Sequence, residues 1–354
     1  HEAFKVAMRN FLVSDAPDLI TWNAGNRMKV FVDLGLLEDV SDVWEAEGLY
    51  EKMPAVVGAS SVDGKQYGVP YTYYQWGVYY RKDIFDRFGL STPQSWDDFL
   101  TVCETLKENG ITPIAIGTEP LWPAAGWFDY LNLRLNGLDF HLDLTAGKVP
   151  YTDERIRKVF EQWRPLLDNG YFIDNHADLA WQDAVPFLAD GRAAMYLIGN
   201  FVVPLLKEAG IIDKIDFFPF PTIDPAVPLY EDAPIDTVHI PAGAKNKEDA
   251  RKFLAFISRP DVQASMNLIL RQLPANRNAE IPNDPFLQAG QELLNEAEGV
   301  AQFYDRDATP EMARTGMLGF QKFMQEPERL DSILERLEIE RRRIYEIRQP
   351  PSQQ

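Results

Sequence analysis

Residues 63–76 read DGKQYGVPYTYYQW, and this stretch carries the strongest structural pattern in the chain. Asp63 and Gly64 lie between two extended segments, which is typical of a two-residue β-hairpin. Nine of the fifteen positions from 66 to 80 are Val or aromatic, a content that favours strands over a helix. We therefore predict a hairpin at Asp63-Gly64 that leads into extended chain as far as residue 80.

The patterns around this stretch alternate between helix and strand. Ser95 followed three residues later by Asp98 is a relative of the capping box and predicts the start of a helix. Helices are predicted over residues 2–13, 28–35, 153–167, 181–190, 246–257 and 327–347, and short strands over 18–22 and 111–116. Alternating strands and helices predict α/β layers with parallel strands.

Length, charge and hydropathy narrow the class of protein. The 354 residues are enough for two domains, since a single core rarely grows past roughly 250–300 residues. The formal net charge of −19 argues against binding to nucleic acid or to anionic lipid. No apolar run approaches the roughly 18–20 residues of a membrane span. The single cysteine, Cys103, lies in a helical pattern and is predicted to be a small apolar helix residue.

The common signatures of catalysis and metal binding are missing from the sequence. It contains no dinucleotide or phosphate loop, no G-x-S-x-G elbow and no H-E-x-x-H pair. The four histidines do not share a helix at ligand spacing; they are His1, His141, His176 and His239. We predict no catalytic residue, no metal and no cofactor.

Aromatic residues in turn-like segments point to a ligand instead. Trp122 and Trp127 stand around a Pro/Gly turn that opens a helix, and Trp181 stands at another helix start. Indole faces are flat and rigid, and they suit the C–H faces of a pyranose, while neighbouring polar side chains can hydrogen-bond its hydroxyls. The pattern predicts a sugar site, although core packing is the commoner role for any one tryptophan.

Several segments, in order, resemble family 1 of the extracellular solute-binding proteins. The matching segments are residues 14–25 (SDAPDLITWNAG), 31–40 (FVDLGLLEDV), 63–71 (DGKQYGVPY), 79–85 (YYRKDIF), 92–99 (TPQSWDDF) and 240–263 (IPAGAKNKEDARKFLAFISRPDVQ). Members of this family are the ligand receptors of bacterial ABC importers, and the sugar-binding branch includes maltose-binding protein.

The resemblance implies an α/β, two-lobe periplasmic-binding-protein fold of type II. Its lobes would be joined by crossing hinge strands, with the ligand in the cleft between them. Lobe one would take residues 1–76 and 236–300, and lobe two residues 77–235 and 301–354. The implied function is a monomeric, non-catalytic receptor that closes like a hinge on a sugar. Its implied location is periplasmic or extracellular, with membrane anchoring left open. Its implied partners are the carbohydrate and the membrane permease subunits of an ABC importer.

The family's ligand-binding positions can be carried over by motif. The predicted ligand-binding residues are Trp22, Asn23, Tyr74, Trp76, Trp122, Trp127, Trp181, Asn200, Asp236, Tyr304, Asp305 and Arg306. The chain departs from the family pattern in having Asp236 and Thr237 where paired glycines are common, and Phe201 where a tryptophan is common. The family's first strand and the loop after it are expected before His1.

Two alternatives stay open. A glycoside hydrolase would use Asp305 or Asp183 together with a second acid, because such enzymes work with a pair of carboxyl groups. A receptor of the same fold for a carboxylate, sulfonate or phosphate would use Arg306 and Arg271, which can bind an anion with two hydrogen bonds. For these arginines we favour ion pairing within the acid-rich chain.

Overall fold

The computed structural model describes residues 2–346, which fall into two compact units. The first unit holds the described chain up to Tyr74 together with Ala233–Gln291. The second holds Gln75–Asp232 together with the described chain from Glu292 onward. Each unit is built from segments that are distant in sequence, and each has a four-stranded sheet. This mixture of sheets and helices confirms the predicted α/β class.

Twelve strands occur in the described chain. They are β1 (Ile20–Asn23), β2 (Ser61–Val62), β3 (Lys65–Gln66), β4 (Val69–Tyr73), β5 (Trp76–Arg81), β6 (Thr112–Ile114), β7 (Ala193–Gly199), β8 (Ile215–Phe218), β9 (Tyr230–Asp232), β10 (Ile235–His239), β11 (Leu273–Pro274) and β12 (Gly299–Ala301).

Sixteen α-helices accompany these strands in residues 2–346. They are α1 (Glu2–Ser14), α2 (Asn26–Asp33), α3 (Ser41–Ala46), α4 (Leu49–Lys52), α5 (Lys82–Phe88), α6 (Trp96–Glu108), α7 (Trp122–Thr145), α8 (Glu154–Asp168), α9 (Val185–Ala189), α10 (Val203–Glu208), α11 (Lys247–Ile257), α12 (Pro260–Leu270), α13 (Pro285–Glu296), α14 (Tyr304–Asp307), α15 (Pro310–Gln325) and α16 (Leu330–Arg341).

Most of the predicted elements lie where the sequence places them. The hairpin forms with Asp63 at φ 50° and Gly64 at φ 78°, the left-handed pair that a two-residue turn requires, and β2 pairs with β3. The capping box is also confirmed, because the Ser95 hydroxyl accepts the Asp98 N–H at 3.2 Å and the Asp98 carboxylate accepts the Ser95 N–H at 3.3 Å.

Two predicted helices are broken into shorter pieces. The segment 181–190 begins with a 3-10 turn, Trp181–Ala184, and becomes α-helical only in α9. The segment 327–347 consists of a 3-10 turn, then α16, then a π turn, Arg342–Glu346. Its last predicted position, residue 347, lies outside the described residues.

The prediction of parallel strands is wrong for most pairs. In the first unit the strand order is β1-β10-β4-β11, and each neighbouring pair is antiparallel. In the four-stranded sheet of the second unit the order is β6-β7-β5-β8, and only β6 and β7 are parallel neighbours there. A separate two-stranded sheet of the same unit pairs β9 and β12 in parallel. The reason is that one strand in each sheet lies between two strands that run the other way, β10 between β1 and β4 in the first unit and β5 between β7 and β8 in the second.

Both sheets bury their strands against helices. In the first unit Val69, Val238 and Ile240 pack with Trp44 and Leu254 in one apolar cluster. The indole N–H of Trp44 is satisfied there by the Gly68 carbonyl at 2.9 Å. In the second unit every residue of β7 is buried, as a central strand covered on both faces requires.

Helix packing completes the second unit. Phe128 of α7 stacks on Phe320 of α15 with ring centroids 4.1 Å apart, and Phe160 of α8 meets Phe323 edge-on at 4.9 Å.

Cys103 is fully buried on α6, and burial raises the pKa of its thiol well above the usual range. Among residues 2–346, no helix combines the length and the apolar character needed to span a bilayer.

Candidate functional site

Five aromatic side chains of the second unit form a cluster that we call the aromatic corner. They are supplied by the start of β5, the first residue of α7, the turn that precedes α9, the turn after β7 and the residue before α14. The members are Trp76, Trp122, Trp181, Phe201 and Phe303. The structure thus brings together three tryptophans that the sequence predicts as ligand-binding residues.

The rings of the aromatic corner meet mostly at steep angles. Trp76 and Phe303 are stacked, with centroids 4.9 Å apart and an interplanar angle of 27°. Trp122 meets Trp76 edge-on at 5.9 Å and 89°. Phe201 lies 5.1 Å from Trp181 and 5.8 Å from Trp122, again edge-on. The rings of Trp122, Trp181 and Phe201 therefore form walls that face in different directions. The stacked pair of Trp76 and Phe303 supports them from behind.

Exposure divides the aromatic corner into a front and a back. Trp122, Trp181 and Phe201 are half-buried, so each presents part of its ring to solvent. Trp76 is 2% exposed and Phe303 4% exposed, so these two rings support the others and do not form the surface. A half-buried indole can stack on the apolar face of a ligand while its edge remains available for hydrogen bonds.

Backbone strain is concentrated beside this cluster. Leu121, directly before α7, has φ 68°, and Phe303, directly before α14, has φ 147°. Left-handed backbone at a residue with a side chain costs on the order of 1–3 kcal/mol and persists where the surroundings impose it. The two strained residues fix the directions in which Trp122 and the Phe303 ring point.

Two glycines make room for the rings. A Cβ at Gly126 would lie 2.7 Å from the Trp76 ring, and a Cβ at Gly199 would lie 2.4 Å from the Phe201 ring. Gly126 is an ordinary helical residue of α7. The predicted Pro/Gly turn between Trp122 and Trp127 is therefore wrong, because the helix already begins at Trp122 and the glycine serves close packing.

The structure places Trp127 away from the aromatic corner. Its ring is 1% exposed and packs against Phe99, Phe172 and Phe220, with centroid distances of 6.2, 5.1 and 5.7 Å. A helix residue five positions after Trp122 points to a different side of α7, and here that side faces the core. We leave Trp127 out of the proposed site.

A polar group in the first unit, which we call the polar edge, consists of Asn23, Arg27 and Asp236. Asn23 ends β1 and pairs in register with Asp236 of β10. The Asn23 amide donates to the Asp236 carboxylate at 3.1 Å, and the Arg27 guanidinium donates to the Asn23 amide oxygen at 3.1 Å. Donors and acceptors are thus fixed side by side at the end of a sheet.

Neighbouring residues hold the polar edge in place. The half-buried Trp22 donates its indole N–H to the Arg27 carbonyl at 3.3 Å, and the Arg27 guanidinium lies 5.9 Å above the Trp22 ring. Next to Asp236, Thr237 hydrogen-bonds the ring of His239, whose Nδ1 donates to the Tyr67 carbonyl at 2.6 Å. Burial lowers the pKa of His239 to about 4, so its ring is neutral at pH 7.

Two further predicted residues, Tyr74 and Asn200, are buried. Tyr74 directly follows β4 and is 6% exposed. Asn200 directly follows β7, and its amide oxygen accepts the hydroxyl of Tyr79 at 2.7 Å. The backbone N–H of Asn200 donates to the Gln75 carbonyl at 3.0 Å, which holds the start of the turn that carries Phe201.

The predicted group Tyr304, Asp305 and Arg306 lies on the short helix α14. Tyr304 is fully buried, and its hydroxyl hydrogen-bonds that of Tyr151. Asp305 and Arg306 are 6% and 7% exposed. Tyr304 thus packs inside the second unit, while its two neighbours are charged groups on the helix that follows Phe303.

Two of the four residues behind the alternatives, Arg271 and Asp183, have structural roles. Arg271 forms an ion pair with Asp284, which confirms the pairing that the acid-rich chain predicts. The exposed Asp183 accepts the Ala180 N–H at 3.2 Å and so caps the turn that carries Trp181. Within residues 2–346, no group of three or more His, Cys, Asp or Glu side chains is arranged to hold a metal ion.

Two candidate residues escape the sequence patterns. Arg27 lies in α2 while Asn23 ends β1, so helical spacing does not relate them. Its position just after the motif Trp22–Gly25 is the one signal that could have indicated it. Phe303 has no such signal, because its contact with Trp76 depends on a left-handed backbone that a phenylalanine rarely adopts.

The chain belongs to the bacterial extracellular solute-binding protein family, whose model matches residues 9–264. Two relatives are uncharacterized ABC transporter extracellular-binding proteins of Pyrococcus horikoshii. One is 30% identical over 78% of this chain, and the other 33% identical over 58%. These matches span 61% and 48% of the lengths of the two relatives.

Solved structures include a receptor with the same fold over nearly the whole chain. The bacterial solute receptor AcbH, which has an exclusive substrate preference for β-D-galactopyranose, superposes with a TM-score of 0.91. Its sequence is 31% identical, and the superposition covers 98% of this chain and 89% of that one. The two-lobe solute-binding protein fold implied by the sequence motifs is thereby confirmed.

Proposed function

We propose that this protein is an extracytoplasmic receptor that binds a sugar and delivers it to an ABC importer. The observation that carries the proposal is the aromatic corner, in which three half-buried rings lie at steep angles in front of a buried stacked pair. Such walls complement the apolar faces of a pyranose. A smaller or flexible ligand would not cover the aromatic corner.

The proposed contacts are of two kinds. Trp122, Trp181 and Phe201 would supply the stacking surface, with Trp76 and Phe303 fixing their positions. Hydroxyl groups of the ligand would exchange hydrogen bonds with polar side chains. We assign this second role to Trp22, Asn23, Arg27, Asn200, Asp236, Asp305 and Arg306, with Tyr74 and Tyr304 as buried supports.

Similarity supports a carbohydrate ligand. AcbH, a receptor with preference for β-D-galactopyranose, is 31% identical to this chain over most of both proteins. We therefore expect a pyranose, and galactose is the first sugar to test. We also propose that the functional lobes are residues 1–76 with 236–300 and 77–235 with 301–354. The two interleaved compact units support this division except at its boundaries, where residues 75–76 and 292–300 belong to the second unit and 233–235 to the first.

The protein would bind without catalysis. Its family consists of binding proteins, and Asp183, one candidate acid of a hydrolase, caps a turn. We propose a periplasmic or extracellular location and permease subunits as partners, in keeping with the family. An anionic ligand is the second candidate, and Arg306 is the residue that favours it.

The test is a titration with defined ligands. Purified protein is titrated with D-galactose, D-glucose, maltose and an alkyl sulfonate, while tryptophan emission and binding heat are recorded. We expect saturable binding of one saccharide with a change in tryptophan emission, and no product from a chromogenic glycoside. Binding of the sulfonate alone would refute the sugar assignment, and steady release of chromophore would refute the receptor assignment.

A further inference from the structure

Three carboxyl groups lie close together inside the second unit, and we call them the carboxyl cluster: Asp129, Asp232 and Asp307. Asp129 and Asp232 are fully buried, on α7 and β9, and Asp307 at the end of α14 keeps 13% of its side chain exposed. Among the described residues, Asp129 Oδ1 and both oxygens of Asp232 have no hydrogen-bond partner. A buried carboxylate without partners is strongly disfavoured, whereas a protonated carboxyl group is tolerated.

The carboxyl cluster holds the turn that carries Phe303. Asp129 Oδ2 accepts the Tyr304 N–H at 2.7 Å, and Asp307 Oδ2 accepts the N–H groups of Gln302 and Phe303 at 3.0 and 3.3 Å. Asp232 pairs in register with Ala301, the last residue of β12 before the turn. The carboxyl groups of Asp129 and Asp307 therefore hold residues 302–304 directly, while Asp232 is joined to the start of the turn through strand pairing.

The turn in question supports the aromatic corner. Phe303 has φ 147°, a conformation that persists only while its surroundings impose it, and its ring stacks on Trp76 at 4.9 Å. Movement of the turn would displace the ring behind Trp76, and Trp76 contacts Trp122 and Phe201 in turn. The backbone hydrogen bonds of the carboxyl cluster are thus connected to the surface of the proposed sugar site through a chain of ring contacts.

Among the described residues, no lysine or arginine forms an ion pair with Asp129 or Asp232, and Arg134 is the one cation whose charge acts on Asp232. Arg134 is already paired with Glu231, which also accepts the Tyr130 hydroxyl at 2.8 Å. His141 stands between two of the acids, with Nδ1 4.0 Å from Asp129 Oδ1 and Nε2 3.9 Å from Asp307 Oδ2. The groups that face the cluster from α7, β9, α14 and the loop at residue 151 are Tyr130, Arg134, His141, Glu231, Tyr304, Asp305, Arg306 and Tyr151.

His141 does not supply the missing positive charge. The Asn132 amide lies 3.2 Å from Nδ1 and can donate to it, which places the ring proton of a neutral imidazole on Nε2. Burial lowers the pKa of His141 to about 4. Burial, and after it the charge of Asp232, raises the pKa of Asp129 well above its usual range, and burial followed by the charge of Asp307 does the same for Asp232.

We propose that the pair Asp129 and Asp232 retains one proton between its two carboxyl groups at neutral pH, and that this proton keeps residues 302–304 in place behind Trp76. Loss of the proton to solvent therefore weakens sugar binding. This inference rests on the proposed function. Two buried carboxylates beside a third cannot all ionise without strong repulsion. Because Asp129 and Asp307 hold the turn through its backbone N–H groups, that repulsion acts on the turn itself.

The test compares wild type with Asp232→Asn, which keeps the shape of the side chain but cannot ionise. D-galactose affinity and ligand-free tryptophan emission are measured from pH 6 to pH 10. For wild type we expect affinity to fall at least about fivefold across this range, the lower end of typical coupling between sites, with a parallel change in emission. For Asp232→Asn we expect the affinity of wild type at pH 6 and a flat profile above it.

The matched control is Asp139→Asn, which removes an exposed carboxyl group from the same helix, α7. It should keep the pH profile of wild type. If Asp232→Asn does not fold, Asp129→Asn takes its place, because an asparagine there can still accept the Tyr304 N–H. The wild-type profile is informative without either variant.

Three results would overturn the inference. They are a wild-type affinity that is flat from pH 6 to pH 10, an emission change without an affinity change, and an affinity loss that persists in Asp232→Asn. If no sugar binds at any pH, the proposed function fails independently. The emission profile then decides whether the proton controls the turn, since a transition absent from Asp232→Asn supports that control and a flat profile refutes it.

Discussion

At Trp181 the role of a half-buried side chain can be separated from the role of its backbone. Its ring is half-buried and forms a wall of the aromatic corner, whereas its carbonyl accepts the Tyr196 hydroxyl at 3.0 Å and holds the turn independently of the ring. The side chain can therefore be replaced while the backbone contact stays.

The first prediction concerns Trp181→Leu. We expect sugar affinity to fall by about 1–2 kcal/mol, or roughly five- to thirtyfold, because the stacking surface is lost at a half-buried position. Isothermal titration calorimetry with the sugar found for wild type measures the change. Phe253→Leu, at an exposed ring of α11 in the first unit, is the control and should bind like wild type. Equal affinities of wild type and Trp181→Leu would exclude the ring from the site.

At the scale of single residues, the sequence predicts which residues are candidates better than it predicts the directions of their side chains. Trp122 and Trp181 are predicted because an indole beside polar residues at a helix start is unusual in a core, and the structure places both in the aromatic corner. Trp127 has the same signal, yet it lies in the core, since its direction depends on the register of α7. Phe303 could not be predicted, because its role follows from a strained backbone imposed by residues distant in sequence.

At the scale of secondary-structure elements, the predictions that depend on neighbouring residues are confirmed, whereas the predicted direction of strand pairing is wrong for most pairs. The hairpin at Asp63-Gly64 and the cap at Ser95 depend on neighbours within a few residues, and both are present. The direction of β5 and β10 depends on which distant strands they meet, and alternation along the chain contains no information about that. The same limit applies to the polar edge, where β1 meets a strand more than two hundred residues later.

The second prediction concerns the contact between α7 and β5. Ala in place of Gly ordinarily stabilises a helix interior by about 0.5–1 kcal/mol. In Gly126→Ala, however, the added Cβ would lie 2.7 Å from the Trp76 ring, so we expect a net loss of about 1–3 kcal/mol in unfolding free energy. Denaturant unfolding measures it, together with altered tryptophan emission of the native state.

Gly58→Ala serves as the control for this change. A Cβ at Gly58 meets nothing within 4 Å, and the residue needs no left-handed backbone. Its unfolding free energy should stay within about 0.5 kcal/mol of wild type. If Gly126→Ala were as stable as this control, the tight contact between α7 and Trp76 would not exist in solution.

At the scale of the whole molecule, the two units differ in how they respond to mild acid. Burial lowers the pKa of His239 in the first unit and of His141 in the second to about 4. Between about pH 6.5 and 4 the unfolded chain binds these protons and the native chain does not, so stability falls as the pH drops.

In the second unit the carboxyl cluster has the opposite effect on stability. Burial raises the pKa of Asp307 to about 6 and those of Asp129 and Asp232 well above their usual range, so protons are bound by the native state.

The third prediction follows from this difference. Between pH 6.5 and 4.5 we expect the first unit to lose protection before the second, because His239 is not offset by acids of raised pKa. The loss attributable to His239 is on the order of 3 kcal/mol once the pH is below its native pKa. Hydrogen exchange by mass spectrometry, corrected for the intrinsic effect of pH on exchange, compares peptides of β4 and β10 with peptides of β5 and β7.

The variant His239→Gln provides the control for the acid response. A glutamine can still hydrogen-bond Thr237, but it takes up no proton, so the early opening of the first unit should disappear. Opening of β5 and β7 peptides ahead of β4 and β10 in wild type would contradict the assignment of the acid-sensitive group to the first unit.

The burial of Cys103 has a practical consequence for measuring this protein. The chain has no other cysteine, and this thiol is enclosed in α6 with a raised pKa, so it reacts poorly with maleimides. A cysteine introduced at the exposed position Gln182, next to Trp181, would be the single reactive thiol. A fluorophore attached there would make the wild-type framework into an optical sensor without prior removal of a native cysteine.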